Sequence, residues 1–267
     1  MNALSLYGRY IGVSFRAQMQ YRMSFLMSAV GQLLATMTEV AAIWALFYRF
    51  GDLQYWSLPE VCLFYGVVNI SFAIADAITT GFDVFGPQYI KTGNFDRLLL
   101  RPRLVVLQLL GHELALRRIG RLIQGVGVFV WGTWHLELDW GLINCLILSL
   151  SILGGIALFS GLIVFQATLS IWTVESLEIM HTLTYGGVQT AQYPLDIYEA
   201  WFRKFFTYVV PLACISYFPM IAFMDKADPL GTSRLFQMFS PLLGFVFLGV
   251  SLLFFRFGIR RYTSTGS

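Results

Sequence analysis

Glu175, Glu178 and His181 recur at intervals of three, which puts them on one face of a helix. An E-x-x-H pair is half of a carboxylate-bridged metal site, and the other half needs a second such pair. The chain has no second pair, so no metal is expected. Two glutamates in the first turn of an apolar helix are accounted for by the positive end of its dipole. An intramembrane enzyme built around these three residues remains one alternative. Glu39 and Asp76 are the other carboxylates in unusual places, each inside an apolar block. Charge at that depth is costly, and marks a substrate path, a coupling-proton site, or a pairing contact with Arg117, Arg118 or Arg121. His112-Glu113 lacks a second histidine four residues on, and no G-x-S-x-G elbow occurs. Cys62, Cys145 and Cys214 stand alone, with neither disulfide nor metal spacing.

The elements that carry these residues are apolar. The chain of 267 residues is 57% hydrophobic and 12% charged, against a usual charged share of about 25%. Mean hydropathy is +0.67. Several blocks reach the roughly 20 residues that a bilayer crossing needs. The reading is an all-α, polytopic membrane protein forming a single domain over 1–267, with no cleavable signal in its first residues. Residues 3–17 have amphipathic spacing: Leu4, Tyr7, Ile11 and Phe15 lie on one side and Arg9 and Arg16 opposite. That pattern suits a helix in the headgroup plane or a basic flank before the first crossing.

Crossings are expected over 23–48, 61–84, 122–134, 142–171 and 235–255. The fifth is 173–191 or 205–223, and composition leaves the choice open. Charge sets the orientation. With a cytoplasmic N-terminus and six crossings, thirteen of the eighteen Lys and Arg residues face the cytoplasm. This is the asymmetry of the positive-inside rule, and it puts both termini inside. The remaining ambiguous segment then enters and leaves on one side, which the prolines of 193–224 suit. Trp56, Trp134, Trp140 and Tyr193 fall near span ends as interfacial anchors. No nucleic-acid partner is expected, and the lipid bilayer is. No internal repeat is evident, which counts against an ion-coupled carrier using Glu39 or Asp76.

Between the second and third crossings lies GNFDRLLLRPR, Gly93 to Arg103. Such a charged segment can be a mere connector, but this one is long, and Phe95, Leu98, Leu99 and Leu100 would be costly simply to solvate. Ile90, Phe95 and Leu98 can project from a short helix while Lys91, Arg97 and Arg101 stay in water. Pro102 then biases Arg101 away from helical geometry and permits a turn. Such an element suits docking onto a soluble partner.

The motif Gly93-Asn94-Phe95-Asp96-Arg97-Leu98-Leu99-Leu100-Arg101-Pro102 resembles the G-x-hydrophobic-D-x-L-L-L-R-P signature of a permease family in the type-2 class of ABC exporters. Residues 193–219, YPLDIYEAWFRKFFTYVVPLACISYFP, resemble that family's Y-P-L stretch and its P-hydrophobic-x-x-I-S-Y-x-P element. The ending Arg261-Tyr262-Thr263-Ser264-Thr265-Gly266-Ser267 is similar to its R-Y-x-S-x-G-S tail. The matches occur in the family's order and cover nearly the whole chain.

The resemblance implies a permease subunit working beside a second permease, identical or similar, with separate ABC ATPase subunits. Segment 86–103 becomes the coupling helix, with Ile90, Lys91, Phe95, Asp96, Arg97, Leu98, Leu99 and Arg101 as the docking set. Residues 3–17 lie along the inner leaflet, 173–191 become the fifth crossing, and 193–224 form re-entrant helices on the outer face. The expected location is a plasma membrane or bacterial inner membrane. The chain has no G-x-x-x-x-G-K-S/T phosphate cradle. ATP and magnesium are therefore expected on the partner ATPase, no cofactor on this chain, and the chain itself is not expected to be an enzyme.

Overall fold

A computed structural model describes residues 3–112, 115, 118–136, 138–173 and 178–263. Among them the chain is helical, with no strand beyond one isolated bridge from Leu53 to Trp56. Helix α1 (Ala3–Gln20) leads into α2 (Arg22–Phe50), which stops at Gly51 with φ of 74°. Only glycine takes that left-handed step without strain. Helix α3 (Leu58–Ile78) starts on a capping box, in which the Ser57 amide donates to Glu60 Oε2 at 2.8 Å.

The apolar run to Val84 is not one helix. Thr79 and Thr80 turn their hydroxyls back on the carbonyls of Ala75 and Asp76, at 2.7 and 3.0 Å. Such back-bonding competes with the helical ladder. The chain continues as α4 (Thr80–Asp83), a π-helical turn (Gly86–Ile90), α5 (Asn94–Leu99) and α6 (Val105–Leu110). Helices α7 (Ile119–His135), α8 (Leu142–Thr173) and α9 (Glu178–Ala191) come next. Three short helices succeed them: α10 (Ala200–Tyr208), α11 (Leu212–Ile215) and α12 (Tyr217–Phe223). A bend of 71° at Pro211 separates α10 from the other two. The last apolar block is also divided: Pro241, which has no N–H to give, separates α13 (Arg234–Phe239) from α14 (Leu242–Arg260).

Four described helices, α2, α3, α8 and α14, are long and apolar enough to cross a membrane, and the bent α10–α12 unit makes a fifth if taken as one span. Helix α7 has 17 residues, at the short end for a crossing. Helix α3 sits in the middle, packed on α7 and α8, and α8 packs along α14. By contrast α2 and α14 leave most of their apolar surface uncovered, including Leu34, Met37, Trp44, Val246 and Leu253. A water-facing protein does not present rows of such residues, whereas a bilayer covers them at no cost.

The α8–α14 crossing is close because small residues face each other. A Cβ on Gly244 would strike the carbonyl of Gly154, and one on Gly161 would meet Phe247 at 2.8 Å. Close helix approach is what stabilises association inside lipid, where apolar burial adds little. Gly244→Val is expected to push the helices apart and to lower the thermal midpoint in detergent, by several degrees or more. Gly249→Val, on a face with nothing within 4 Å, should leave it unchanged. Size-exclusion recovery after heating reads both.

Candidate functional site

Segment 86–103 is an elbow clamped onto the bundle. Gly93, with φ of 70°, starts α5. Phe95 is fully buried, with its ring edge-to-face on Phe85 at 5.0 Å and on Tyr262 at 4.8 Å. Phe85 in turn meets Phe255 of α14 at 5.6 Å. Ile90 and Leu98 complete the cluster against Ile163, Val164 and Ala167 of α8. The exit is pinned by Gln108, whose Nε2 donates to the carbonyls of Leu98 at 3.3 Å and Arg103 at 3.1 Å. Motif residues from two distant parts of the chain, Phe95 and Tyr262, therefore touch.

This arrangement divides the expected docking set. Ile90, Phe95 and Leu98 point inward and hold the elbow; Asp96 is partly buried. Lys91, Arg97, Leu99 and Arg101 face outward. The reason lies in α5's single turn and a half: residues 95 and 98 share one face, and that face meets the bundle. Leu100 and Leu104, absent from the expected set, are 84% and 76% exposed. For Leu100 the signal was the unbroken run Leu98 to Leu100, which is too long for one face of so short a helix; Leu104, beyond Pro102, had none.

The intramembrane carboxylates each meet an arginine. Asp76, nearly enclosed, lies 2.7 Å from Nε of Arg118. Glu39 is 3.5 Å from Nη2 of Arg121, and accepts from Tyr65 Oη at 3.1 Å and Gln189 Nε2 at 3.2 Å. Gln124 donates to the Thr36 carbonyl at 2.6 Å and to Tyr65 Oη at 3.0 Å. The Arg121 guanidinium lies 5.0 Å from the Phe72 ring centre. This network ties α2, α3, α7 and α9 together. Tyr65, Gln124 and Gln189 carry no charge and so gave no warning in the sequence.

Glu178 lies at the exposed start of α9, and Glu175 is outside the described residues, as are Arg117 and Glu113. His181 stacks flat on Tyr185, with ring centroids 5.4 Å apart. Among the described residues no three His, Cys, Asp or Glu side chains gather as a metal site.

The other end of α3 carries a clasp. Lys226 sits 2.6 Å from Glu60 Oε1 and 4.2 Å from the Trp56 ring centre, and donates to the Tyr55 carbonyl at 3.2 Å. Trp56 Nε1 donates to Asp196 at 3.1 Å, and Tyr217 Oη donates to Asp228 at 3.2 Å. Asp196 lies in the turn between α9 and α10, outside the crossing helices. Partial burial pushes its carboxyl up to about 6, helped by the Asp228 charge and opposed by Arg203 and Lys226. In an unfolded chain it titrates near 3.8. Between these values the folded state keeps a proton that the unfolded state has lost, so this group's contribution falls as pH rises. Asp196→Asn is expected to flatten the decline in thermal midpoint between about pH 4 and pH 6. An unchanged slope would remove Asp196 as its source.

Residues 33–266 match the family described as ABC-2 family transporter protein. The chain belongs to that family. It is a multi-pass membrane component of an ABC transporter, a permease, and components of this kind associate with ABC ATPase subunits. No curated protein and no solved structure matches the chain.

Proposed function

We propose that this ABC-2 permease is half of the membrane part of an ATP-driven exporter, in a plasma membrane or bacterial inner membrane, with both termini in the cytoplasm. The six crossings are α2, α3, α7, α8, the 173–191 segment that contains α9, and the α13–α14 unit. Helices α10 to α12 enter and leave on the outer face, a reading supported by the bend at Pro211 and by the clasp that ties Asp196 and Lys226 to the start of α3. A second permease, identical or similar, covers the apolar surface left by α2, and the substrate path runs between the two. ATP and magnesium bind the ATPase.

The observation that carries this reading is the elbow. Its inward face is welded to α8 and α14 through Phe95, Phe85, Phe255 and Tyr262, while Leu99, Leu100 and Arg97 face out. A push on such a surface moves two long helices as one body rather than deforming a loop. The paired charges of Glu39 and Asp76 fit helix-to-helix contacts better than ion carriage.

The test is reconstitution in proteoliposomes with and without the cognate ABC ATPase. Substrate-dependent ATP hydrolysis, and transport away from the ATPase side, are expected only in the complete complex. Proton-driven transport by the isolated chain would refute the proposal.

A further inference from the structure

Beside the elbow is a polar crevice of about 260 Å³ that docking alone does not use. Its walls include Arg97, Arg101, Asn94, Gln88, Tyr89 and His112. Arg97 and Arg101 have no carboxylate partner among the described residues, and both are exposed. Tyr89 Oη lies 2.9 Å from His112 Nδ1. When the hydroxyl donates in that contact, the proton of His112 sits on Nε2 and is left to give. Arg101 lies near enough to the Tyr89 hydroxyl for its charge to oppose the rise that burial causes there. Two arginines, a histidine and two carboxamide residues thus line one small hollow. Among the described residues that line it, none carries a carboxylate.

We propose that this crevice is a binding site for a phosphate group at the inner membrane surface. Guanidinium groups match phosphate oxygens two at a time, which is why arginine is favoured for such ligands. The depth of the site is set by its neighbour. Helix α1 lays the Tyr10 ring directly on Gly111, so closely that any Cβ there would collide with it, and His112 is the next residue. An amphipathic helix in the headgroup plane therefore abuts the crevice wall. Phosphates of anionic lipids are concentrated at that level, and the leaflet's negative potential adds to their attraction. Arg97 and Arg101 belong to the expected docking set; here they are assigned to the phosphate, and the docking face is left to Leu99 and Leu100. Leu99 is two residues along α5 from Arg97 and so on a different side of that helix. The proposal rests on the cytosolic placement of the elbow in the proposed function.

The probe is phosphatidylglycerol, with a neutral glycolipid lacking phosphate as control, added to the full-length permease and followed by native mass spectrometry. One phosphatidylglycerol is expected to be retained through delipidation, and the glycolipid none. The paired change Arg97→Gln and Arg101→Gln should weaken retention by about tenfold or more, the loss expected for hydrogen bonds to a charged group. His112→Ala, which leaves both arginines in place, should weaken it less while ATPase co-purification is unchanged. Competition by inorganic phosphate would assign the same site to a soluble phosphate rather than to lipid. Equal retention by the wild type and the double variant overturns the proposal. So does a His112→Ala variant that keeps the lipid but loses the ATPase, because the crevice then receives an acidic side chain of the partner. Loss of ATPase binding with the leucine variant alone concerns the coupling reading and leaves this one standing.

Discussion

The paired change Leu99→Glu and Leu100→Glu is expected to strip the ATPase from the purified permease and to lower ATP-driven transport by more than about tenfold. Both side chains are exposed, at 39% and 84%, so their replacement costs the fold of the isolated chain little. At an interface the same two leucines would be central and desolvated. Truncating such anchors costs about 2 kcal/mol or more, and a buried unpaired carboxylate costs further. Phe95→Ala is the contrasting variant. Phe95 is wholly buried between Phe85 and Tyr262, and its loss leaves a cavity worth about 3–5 kcal/mol. That change should lower thermal stability and transport together, whereas the leucine pair lowers association with thermal stability intact. Pull-down through the permease, with melting in detergent alongside, separates the two. An ATPase that stays bound to the leucine variant would remove the outward face of the elbow from the interface.

Asp76→Ala is expected to be among the most damaging single changes in the membrane region. It leaves Arg118, whose side chain is 18% exposed, beside a site that no longer carries the opposite charge. Breaking a buried ion pair from one side costs about 3–5 kcal/mol, because the remaining charge is stranded. Replacing both residues by apolar ones of similar size, Asp76→Leu with Arg118→Met, should recover much of that loss. Glu39→Gln should be milder. Its partner Arg121 is farther away, at 3.5 Å, and Tyr65 and Gln189 can still bond the amide. Thermal unfolding of the single and double variants gives the coupling energy directly. If the double variant is no better than Asp76→Ala, the pair is not the reason that Asp76 is there.

How legible each feature was in the sequence depends on how it is encoded. Apolar length is written locally, so the long helices at 22–50 and 142–173 are close to the expected 23–48 and 142–171. Breaks that depend on side chains folding back were harder. The threonine pair at 79 and 80 ends α3 six residues before the apolar run does, and Pro241 cuts the final block although its hydropathy is unbroken. The elbow announced itself by its charge, but which of its residues face inward depends on α8 and α14, and α5 is too short to show a period. The clasp at the start of α3 was illegible. Trp56 and Asp196 are 140 residues apart, and a tryptophan before α3, a glutamate in its first turn and a lysine after α12 give no pattern until the chain folds. Family resemblance entered where periodicity ended, and the family match over 33–266 is what makes the chain an ABC-2 permease.

One labelling experiment decides which side of the membrane the elbow occupies. Leu100→Cys places a thiol on its exposed crest, and Asp139→Cys, exposed in the loop between α7 and α8, supplies a marker for the opposite side. In a Cys145→Ser background, a membrane-impermeant maleimide should modify residue 139 in intact cells, and residue 100 only in inverted vesicles. Modification of residue 100 from outside intact cells would place the elbow beyond the reach of any ATP-driven partner.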